Sequence, residues 1–242
     1  MSEELAEVVV LTGAGISAES GVPTFRGAAG LWRTYRPEDL ATLDAFRRDP
    51  TLVWEWYDWR RGLIARCAPN AAHRTLAEME QTIENFVLIT QNVDGLHQRA
   101  GSRHVLELHG NLWRMRCTME GIVVEDYRVP LPSIPPRCEC GALMRPDVVW
   151  FGESLPAEVM SAAYAAVQRC RLMLVVGTSG VVYPAAALPQ LAHRCGAYVV
   201  EFNVERTPLS LYADEVILGP AAVELPRWWA ALISSGKFST AS

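Results

Sequence analysis

The stretch "VVVLTGAGISAESG", residues 8–21, is the strongest indication of fold class in this 242-residue chain. Its apolar, β-branched first half is typical of a buried strand in a parallel sheet. The pattern Gly13-x-Gly15-x-x-Ala18 follows and leads into a helix. Such a turn lets a pyrophosphate approach the backbone at a helix N-terminus. The stretch therefore predicts a nucleotide-binding strand–turn–helix unit, and a glycine-rich turn without a ligand is the alternative.

Three further apolar runs predict strands of the same sheet: "FVLITQN" (86–92), "LMLVVGTS" (172–179) and "AYVVEFN" (197–203). Helical patterns lie between the runs at 70–84 and 157–170. Alternating strands and helices favour an α/β fold with a Rossmann-like, doubly wound parallel sheet. Ligands of such sheets bind beyond the carboxyl ends of the strands, which is where each of these runs ends in small or polar residues.

Two segments interrupt this alternation and predict a second, smaller domain. One holds the aromatic helix "WEWYDWRRG" (54–62), and the other holds three cysteines beside the proline-rich "VPLPSIPPRCECG" (129–141). We expect the small domain to combine a helical module, 28–83, with a zinc-ribbon-like module, 114–144. The Rossmann-like, nucleotide-binding domain would then comprise 1–27, 84–113 and 145–242.

The composition excludes some function classes. Half of the residues are apolar, which is enough for a large globular core. The net charge of -5 and the absence of a basic run argue against binding to nucleic acid. No run of about 18 apolar residues occurs and the N-terminus is acidic, so we expect no membrane span, no signal peptide and a cytoplasmic location. The oligomeric state stays open, with a monomer slightly favoured.

Polar residues near strand ends are the candidates for catalysis. Gln91, Asn92 and Asp94 follow the second run, and their amides and carboxylate suit ribose hydroxyls and a carboxamide. An Asx-rich turn that caps the next helix predicts the same residues. His109 follows an alternating, strand-like segment and titrates near neutrality, as a general base does, although a single histidine is more often structural. The acidic residue expected about twenty positions after the glycine turn is absent, which argues against a dehydrogenase.

Six segments in order, between residues 11 and 222, resemble the sirtuins, a family of NAD-dependent protein lysine deacylases. They are "GAGISAESGVPTFRG", "TQNVDGLH", "LHGN", "VVWFGE", "GTSGVVYPAA" and "FNVERTPL". The resemblance implies that NAD is a consumed co-substrate: nicotinamide leaves the ribose, and the acyl oxygen of a modified lysine attacks the freed carbon. His109 would be the general base that takes a proton from a ribose hydroxyl. The products would be free lysine, nicotinamide and O-acyl-ADP-ribose.

The resemblance also implies a role for each site residue. Asn92 and Asp94 would assist His109 in catalysis, with Asp94 binding the carboxamide. Residues expected to contact NAD are Gly13, Ala14, Gly15, Ser17, Glu19, Thr24, Phe25, Arg26, Trp32, Gln91, Asn92, Asp94, His109, Gly177, Thr178, Ser179, Asn203, Glu205 and Ala221. Residues expected to bind the acylated peptide, as an added strand, are Val149, Phe151, Gly152, Val181 and Tyr183. Phe25, Val149, Trp150 and Phe151 would keep water out of the pocket.

Two features are typical of the class III, or sirtuin 5-like, branch, whose members remove acidic acyl groups. Thr24 stands where many sirtuins have Asp, and that branch's Tyr-x-x-Arg pair falls on Tyr57 and Arg60. The resemblance implies that this pair holds the carboxylate of a succinyl or malonyl group through charge-assisted bonds. The alternative is that Arg60 stacks on Trp56 at a solvated face. A plain deacetylase, an ADP-ribosyltransferase and a non-catalytic NAD-binding module are the competing functions.

The cysteine pattern departs from the family, which has a structural zinc on two Cys-x-x-Cys pairs. Here Cys117 is followed by Glu120 in place of a second cysteine, and the other pair, Cys138 and Cys140, is one residue closer. Three thiolates with a carboxylate or water would still hold zinc. Loss of the ion, with the module held by packing alone, is the other interpretation.

Overall fold

The computed structural model describes residues 8–24 and 36–235. In chain order the strands are β1 (Val8–Thr12), β2 (Phe86–Thr90), β3 (Val105–Glu107), β4 (Gly110–Cys117), β5 (Val123–Glu125), β6 (Met144–Val148), β7 (Leu172–Val176), β8 (Tyr198–Asn203) and β9 (Glu215–Leu218). The helices are α1 (Gly15–Ala18), α2 (Pro37–Leu40), α3 (Leu43–Arg48), α4 (Pro50–Ala65), α5 (Ala71–Thr82), α6 (Leu96–Ala100), α7 (Ala157–Arg169), α8 (Leu188–Arg194) and α9 (Ala221–Ser234). Short 3-10 turns cover Ala185–Ala187 and Pro208–Tyr212.

Six strands form a parallel sheet in the order β3-β2-β1-β7-β8-β9. The four strands predicted from apolar runs are its central members, and the predicted α/β class is confirmed. The strand order reverses between β1 and β7, so the loops after these two strands border the crevice where such sheets bind ligands. None of the helices built from the described residues has the length and apolarity that a bilayer crossing requires.

The central strand β1 explains why a continuous apolar run was visible in the sequence. All of its residues are buried, because both faces of the sheet are covered. Val8 and Val10 belong to a core shared with α5 and α9, whereas Val9 and Leu11 belong to a core shared with α7 and α8. The edge strands β3 and β9 are short and only half-buried, so neither forms such a run.

A smaller antiparallel sheet, in the order β5-β4-β6, packs with α2, α3 and α4 around a third core. That core includes Phe46 and Trp54 from the helices and Leu112, Met144 and Trp150 from the sheet side. The two segments that interrupt the strand–helix alternation thus share one hydrophobic core. The division into domains at the residues given above stays a prediction.

The aromatic segment 54–62 lies within α4. The helix begins where the Asp49 side chain accepts a hydrogen bond from the Leu52 N–H (2.9 Å), with Pro50 at the first helical position. Its adjacent arginines differ. Arg61 is fully buried and donates to the carbonyl oxygens of Leu112 (3.2 Å), Asp126 (2.6 Å) and Arg128 (3.0 Å). These hydrogen bonds of Arg61 connect α4 to β4 and to the segment after β5. Arg60 points to a different side of the helix.

Candidate active site

A cavity of about 760 Å³ lies at the carboxyl ends of the parallel strands. The predicted residues that line it are Gly13, Ala14, Gly15, Glu19, Thr24, Tyr57, Arg60, Gln91, Asn92, His109, Val149, Phe151, Gly152, Gly177, Thr178, Ser179, Tyr183, Asn203, Glu205 and Ala221. Ser17 and Asp94 line a small adjoining cavity instead. Val181 is half-exposed and lines neither cavity. Phe25, Arg26 and Trp32 lie outside the described residues.

The glycines after β1 bring two loops into contact at the crevice. The Gly15 N–H donates to the Gly177 carbonyl (2.7 Å), and a Cβ on Gly13 or Gly15 would lie within 2.8 Å of that same oxygen. Gly177 itself has φ +61, which favours glycine. The Gly15 N–H thus donates within the protein. Because Gly15 has no side chain, the loop after β7 can approach its backbone closely.

His109 has the arrangement of a general base. Its Nδ1 lies 2.9 Å from the Gln91 carbonyl oxygen. A carbonyl only accepts, so Nδ1 carries the hydrogen and Nε2 is the basic nitrogen. Burial lowers the pKa of His109, which keeps the imidazole neutral at pH 7. The ring's position depends on Gly110, where a Cβ would lie 2.1 Å from the Asp147 carbonyl oxygen.

Asn92, Ser17 and Asp94 form one hydrogen-bonded group beside the cavity. The Asn92 amide donates to the Gly13 carbonyl (3.0 Å) and to Ser17 Oγ (3.2 Å), and Ser17 Oγ donates to Asp94 (2.8 Å). Asp94 also accepts from the Leu96 N–H (2.9 Å), so the expected Asx turn is present as well. Desolvation raises the pKa of the buried Asp94 carboxyl. The Asp94 side chain therefore belongs both to the Asx turn and to the hydrogen-bonded group with Asn92 and Ser17.

The adjoining cavity beside Ser17 and Asp94 measures about 10 Å³. A cavity of this size has room for about one water molecule. Arg60 and Asn92 line both this cavity and the large one.

Two buried histidines below this group were not predicted as site residues. His73 Nε2 lies 3.3 Å from Ser17 Oγ, and His97 Nε2 lies 2.9 Å from Thr12 Oγ1. Their ring centroids are 4.9 Å apart. Burial lowers the pKa of His73 to about 4 and that of His97 well below its usual value, so both are neutral. Their long-range contacts left no signal in the local sequence.

The opposite end of the cavity, near β8, is shaped by internal hydrogen bonds. The Asn203 amide nitrogen donates to the Thr178 carbonyl (2.9 Å), and its amide oxygen accepts from the Val204 N–H (3.0 Å). Glu201, which was not predicted, is buried and accepts from the hydroxyls of Thr207 (2.6 Å) and Ser210. These bonds hold the segment 204–208, which lines the cavity.

Tyr57 and Arg60 are one helical turn apart on α4, and both line the cavity while remaining buried. The Arg60 guanidinium lies 5.1 Å from the centroid of the Trp56 ring. The alternative interpretation was correct about this stacking and wrong about a solvated face, since Arg60 is 5% exposed. Burial lowers the pKa of Arg60 to about 10 and raises that of Tyr57 to about 12. At pH 7 the pair is a cation beside a neutral phenol.

The cysteine module has the geometry of a metal site. Ligand atoms of Cys117, Glu120, Cys138 and Cys140 all lie within 4.8 Å of one another. Cys117 Sγ and Cys140 Sγ are 3.6 Å apart, close to the ~3.7 Å that tetrahedral zinc–thiolate bonds impose. The Glu120 carboxylate lies 3.6 Å from Cys138 Sγ, and the backbone N–H of Glu120 donates to Cys117 Sγ (3.4 Å). Three thiolates and one carboxylate are a donor set that would fit a structural zinc ion.

Sequence comparisons identify relatives over most of the chain. A profile of the Sir2 family matches residues 13–184. An NAD-dependent protein deacylase of Aquifex aeolicus is 59% identical over 212 residues, which cover 87% of this chain and 89% of the relative. NAD-dependent protein deacylase 2 of Pyrobaculum aerophilum is 56% identical over 220 residues, covering 90% and 88%.

Solved structures have the same fold. A complex of a Sir2 homologue with NAD has a TM-score of 0.88 and 46% identity, covering 95% of this chain and 90% of that one. A mutant Sir2 homologue in complex with ADP-ribose has a TM-score of 0.92 and 43% identity, covering 99% of both chains. A Sir2–p53 peptide–NAD+ complex has a TM-score of 0.82 and 34% identity, covering 96% and 94%.

Proposed function

This chain belongs to the Sir2 family, the sirtuins, and on that premise we propose that it is an NAD-dependent protein lysine deacylase that removes succinyl and malonyl groups as well as acetyl groups. The carrying observation is the buried Tyr57/Arg60 pair in the cavity wall. The pair supplies a cation and a phenol hydroxyl at the cavity wall, and both would bind the terminal carboxylate of a succinyl or malonyl group. The relatives named NAD-dependent protein deacylase support the broader activity.

The reaction we propose uses the chain's own residues as follows. NAD supplies an activated ribose carbon that accepts the acyl oxygen as nicotinamide leaves. His109 Nε2 takes a proton from a ribose hydroxyl, a role that suits a neutral imidazole held through Nδ1. Asn92 and Asp94, fixed by Ser17, orient the nicotinamide ribose and the carboxamide. Val149, Trp150 and Phe151 line the cavity and limit the entry of water.

Acyl selectivity would come from electrostatics in a partly dry site. A carboxylate at the end of a succinyl or malonyl chain would accept from the Arg60 guanidinium and the Tyr57 hydroxyl. Such charge-assisted bonds are roughly twice as strong as neutral ones. Salt screens buried groups less than exposed ones. An acetyl group ends in a methyl, so it would enter without using the pair.

The acylated lysine would arrive on an extended peptide. We propose that Val149, Phe151, Gly152, Val181 and Tyr183 contact this peptide. Phe151 and Tyr183 are substantially exposed at the cavity. A peptide bound as an added strand would be held mainly through main-chain hydrogen bonds, which do not depend on its sequence. Many acylated proteins would therefore serve as substrates.

We also propose a structural zinc ion on Cys117, Glu120, Cys138 and Cys140. When bound, the ion would join the turn after β4 to the turn before β6, and it would take no part in the reaction. These residues belong to the small module rather than to the cavity wall.

The test of the proposed activity is a panel of succinyl-, malonyl- and acetyl-lysine peptides with NAD. Nicotinamide release and peptide mass are measured together. We expect acidic acyl peptides to lose their acyl mass with a higher kcat/KM than the acetyl peptide. A gain of ADP-ribose mass on the acceptor would favour ADP-ribosyl transfer instead. Well-folded protein that releases no nicotinamide with succinyl peptide would refute the proposal.

A further inference from the structure

The geometry points to Trp150 as a positioning residue for acyl selectivity: we infer that its indole N–H turns the Tyr57 hydroxyl into a donor aimed at the acyl carboxylate. This inference rests on the proposed function. Trp150 follows β6 in the sequence, and Tyr57 lies on α4. Their contact therefore joins the two modules of the smaller core at the wall of the cavity.

The direction of the bond between the two side chains is fixed by chemistry. Trp150 Nε1 lies 2.9 Å from Tyr57 Oη, and an indole N–H only donates. The Tyr57 oxygen must therefore accept, and its own hydrogen must point away from the indole. Within 8–24 and 36–235, the Tyr57 hydroxyl donates to no protein acceptor. Because Tyr57 lines the cavity, a ligand there would find a hydrogen-bond donor.

The indole is held in place by its own neighbours. Trp150 is 2% exposed, and its backbone N–H donates to Glu153 Oε2 (2.8 Å). The Arg145 guanidinium lies 3.6 Å from the centroid of the Trp150 ring and forms an ion pair with Glu153 (2.6 Å). Phe46 packs against the ring with centroids 5.3 Å apart. The N–H direction is thus set before a substrate arrives.

This arrangement discriminates between acyl groups. A carboxylate only accepts hydrogen bonds, so it gains from a hydroxyl whose hydrogen already faces it. The pKa of Tyr57, raised to about 12, keeps that hydrogen in place near neutral pH. An acetyl methyl gains nothing from the hydroxyl. Loss of the indole N–H would free the hydroxyl to rotate, and the succinyl group would lose most of the benefit.

The experiment measures the ratio of kcat/KM for succinyl and acetyl peptides in four proteins: wild type, Trp150→Phe, Tyr57→Phe and the double variant. We expect Trp150→Phe to lower the ratio about 3- to 10-fold, the range of one hydrogen bond, mainly through the KM of the succinyl peptide. In the Tyr57→Phe background, Trp150→Phe should change the ratio no further. That non-additivity is what a merely structural role would not produce.

Trp54→Phe is the matched control. Trp54 is equally buried in the same core and donates its indole N–H to the Met144 carbonyl (2.8 Å), away from Tyr57. This variant should leave the ratio unchanged. If Trp150→Phe folds poorly, benzothienylalanine at position 150 keeps the ring size and removes only the N–H.

Three outcomes distinguish a failure of this inference from a failure of the proposed function. If wild type prefers succinyl peptide and Tyr57→Phe lowers the ratio, but Trp150→Phe does not, the inference is wrong and the function stands. An equal, additive effect of Trp150→Phe in both backgrounds also overturns it. If wild type has no succinyl preference and Tyr57→Phe leaves the ratio unchanged, the proposed acyl specificity fails and takes the inference with it.

Discussion

Replacing Arg60 with methionine should reduce desuccinylation far more than deacetylation. Arg60 is buried and lines the cavity, so a carboxylate bound there would lose a hydrogen bond to a charged group, worth about 1.5–3 kcal/mol. This corresponds to a fall of about 10- to 150-fold in the succinyl-to-acetyl ratio of kcat/KM. Methionine keeps most of the apolar volume of the arginine side chain and removes its charge and its hydrogen-bond donors.

The neighbouring arginine supplies the control. Arg61 is fully buried, donates to three carbonyl oxygens and pairs with Asp126 (3.5 Å). Arg61→Met should therefore lower the free energy of unfolding by about 3–5 kcal/mol. The melting temperature should fall by about 6–20 °C with little change in the succinyl-to-acetyl ratio. Steady-state kinetics and thermal unfolding of the Arg60→Met and Arg61→Met variants test both predictions. Parallel loss of both activities in Arg60→Met, or a selective loss of desuccinylation in Arg61→Met, would show that Arg60 does not bind the acyl carboxylate.

Four further predictions follow from the site. His109→Ala should lower kcat about 10²- to 10⁴-fold while calorimetry still detects NAD binding, and equal loss of both would contradict its role as base. Because burial lowers the pKa of His109, kcat/KM should stay level near pH 7 and fall only as pH drops below 6.5; a midpoint above 6.5 would contradict this. Glu201→Gln should raise the KM for NAD about 3- to 10-fold with kcat kept, since it loosens the segment 204–208, and a fall in kcat alone would argue otherwise. Metal analysis should find zinc in wild type and Cys195→Ser but less in Glu120→Ala, and equal zinc in all three would exclude Glu120 as a ligand.

The sequence predicted the centre of the fold because burial on both faces leaves a continuous apolar run. β1, β2, β7 and β8 all have that character, and the glycine turn marked the end of the first. The edge strand β9 is half-buried and short, so its pattern is not distinguishable from that of a loop. Family motifs located most of the cavity wall, and they did so without reference to any single long-range contact.

The sequence could not predict which polar groups meet across the fold. Trp150 and Tyr57 are 93 residues apart, and only the packing of β6 against α4 brings them together. Glu201 stands in an apolar strand, and its partners follow in the next turn, so its burial is a tertiary property. Arg60 and Arg61 are adjacent residues of the same type. The rotation of about 100° between successive helical residues places Arg60 at the cavity and Arg61 in the core.

We propose that the buried Arg60 cation beside the Tyr57 phenol directs this sirtuin to acidic acyl groups. The most direct test compares one peptide carrying succinyl-lysine or acetyl-lysine at the same position, with NAD and wild-type protein. We expect nicotinamide release with both peptides and a higher kcat/KM for the succinyl peptide. A folded, NAD-binding protein that deacetylates the peptide and leaves the succinyl group in place would contradict it.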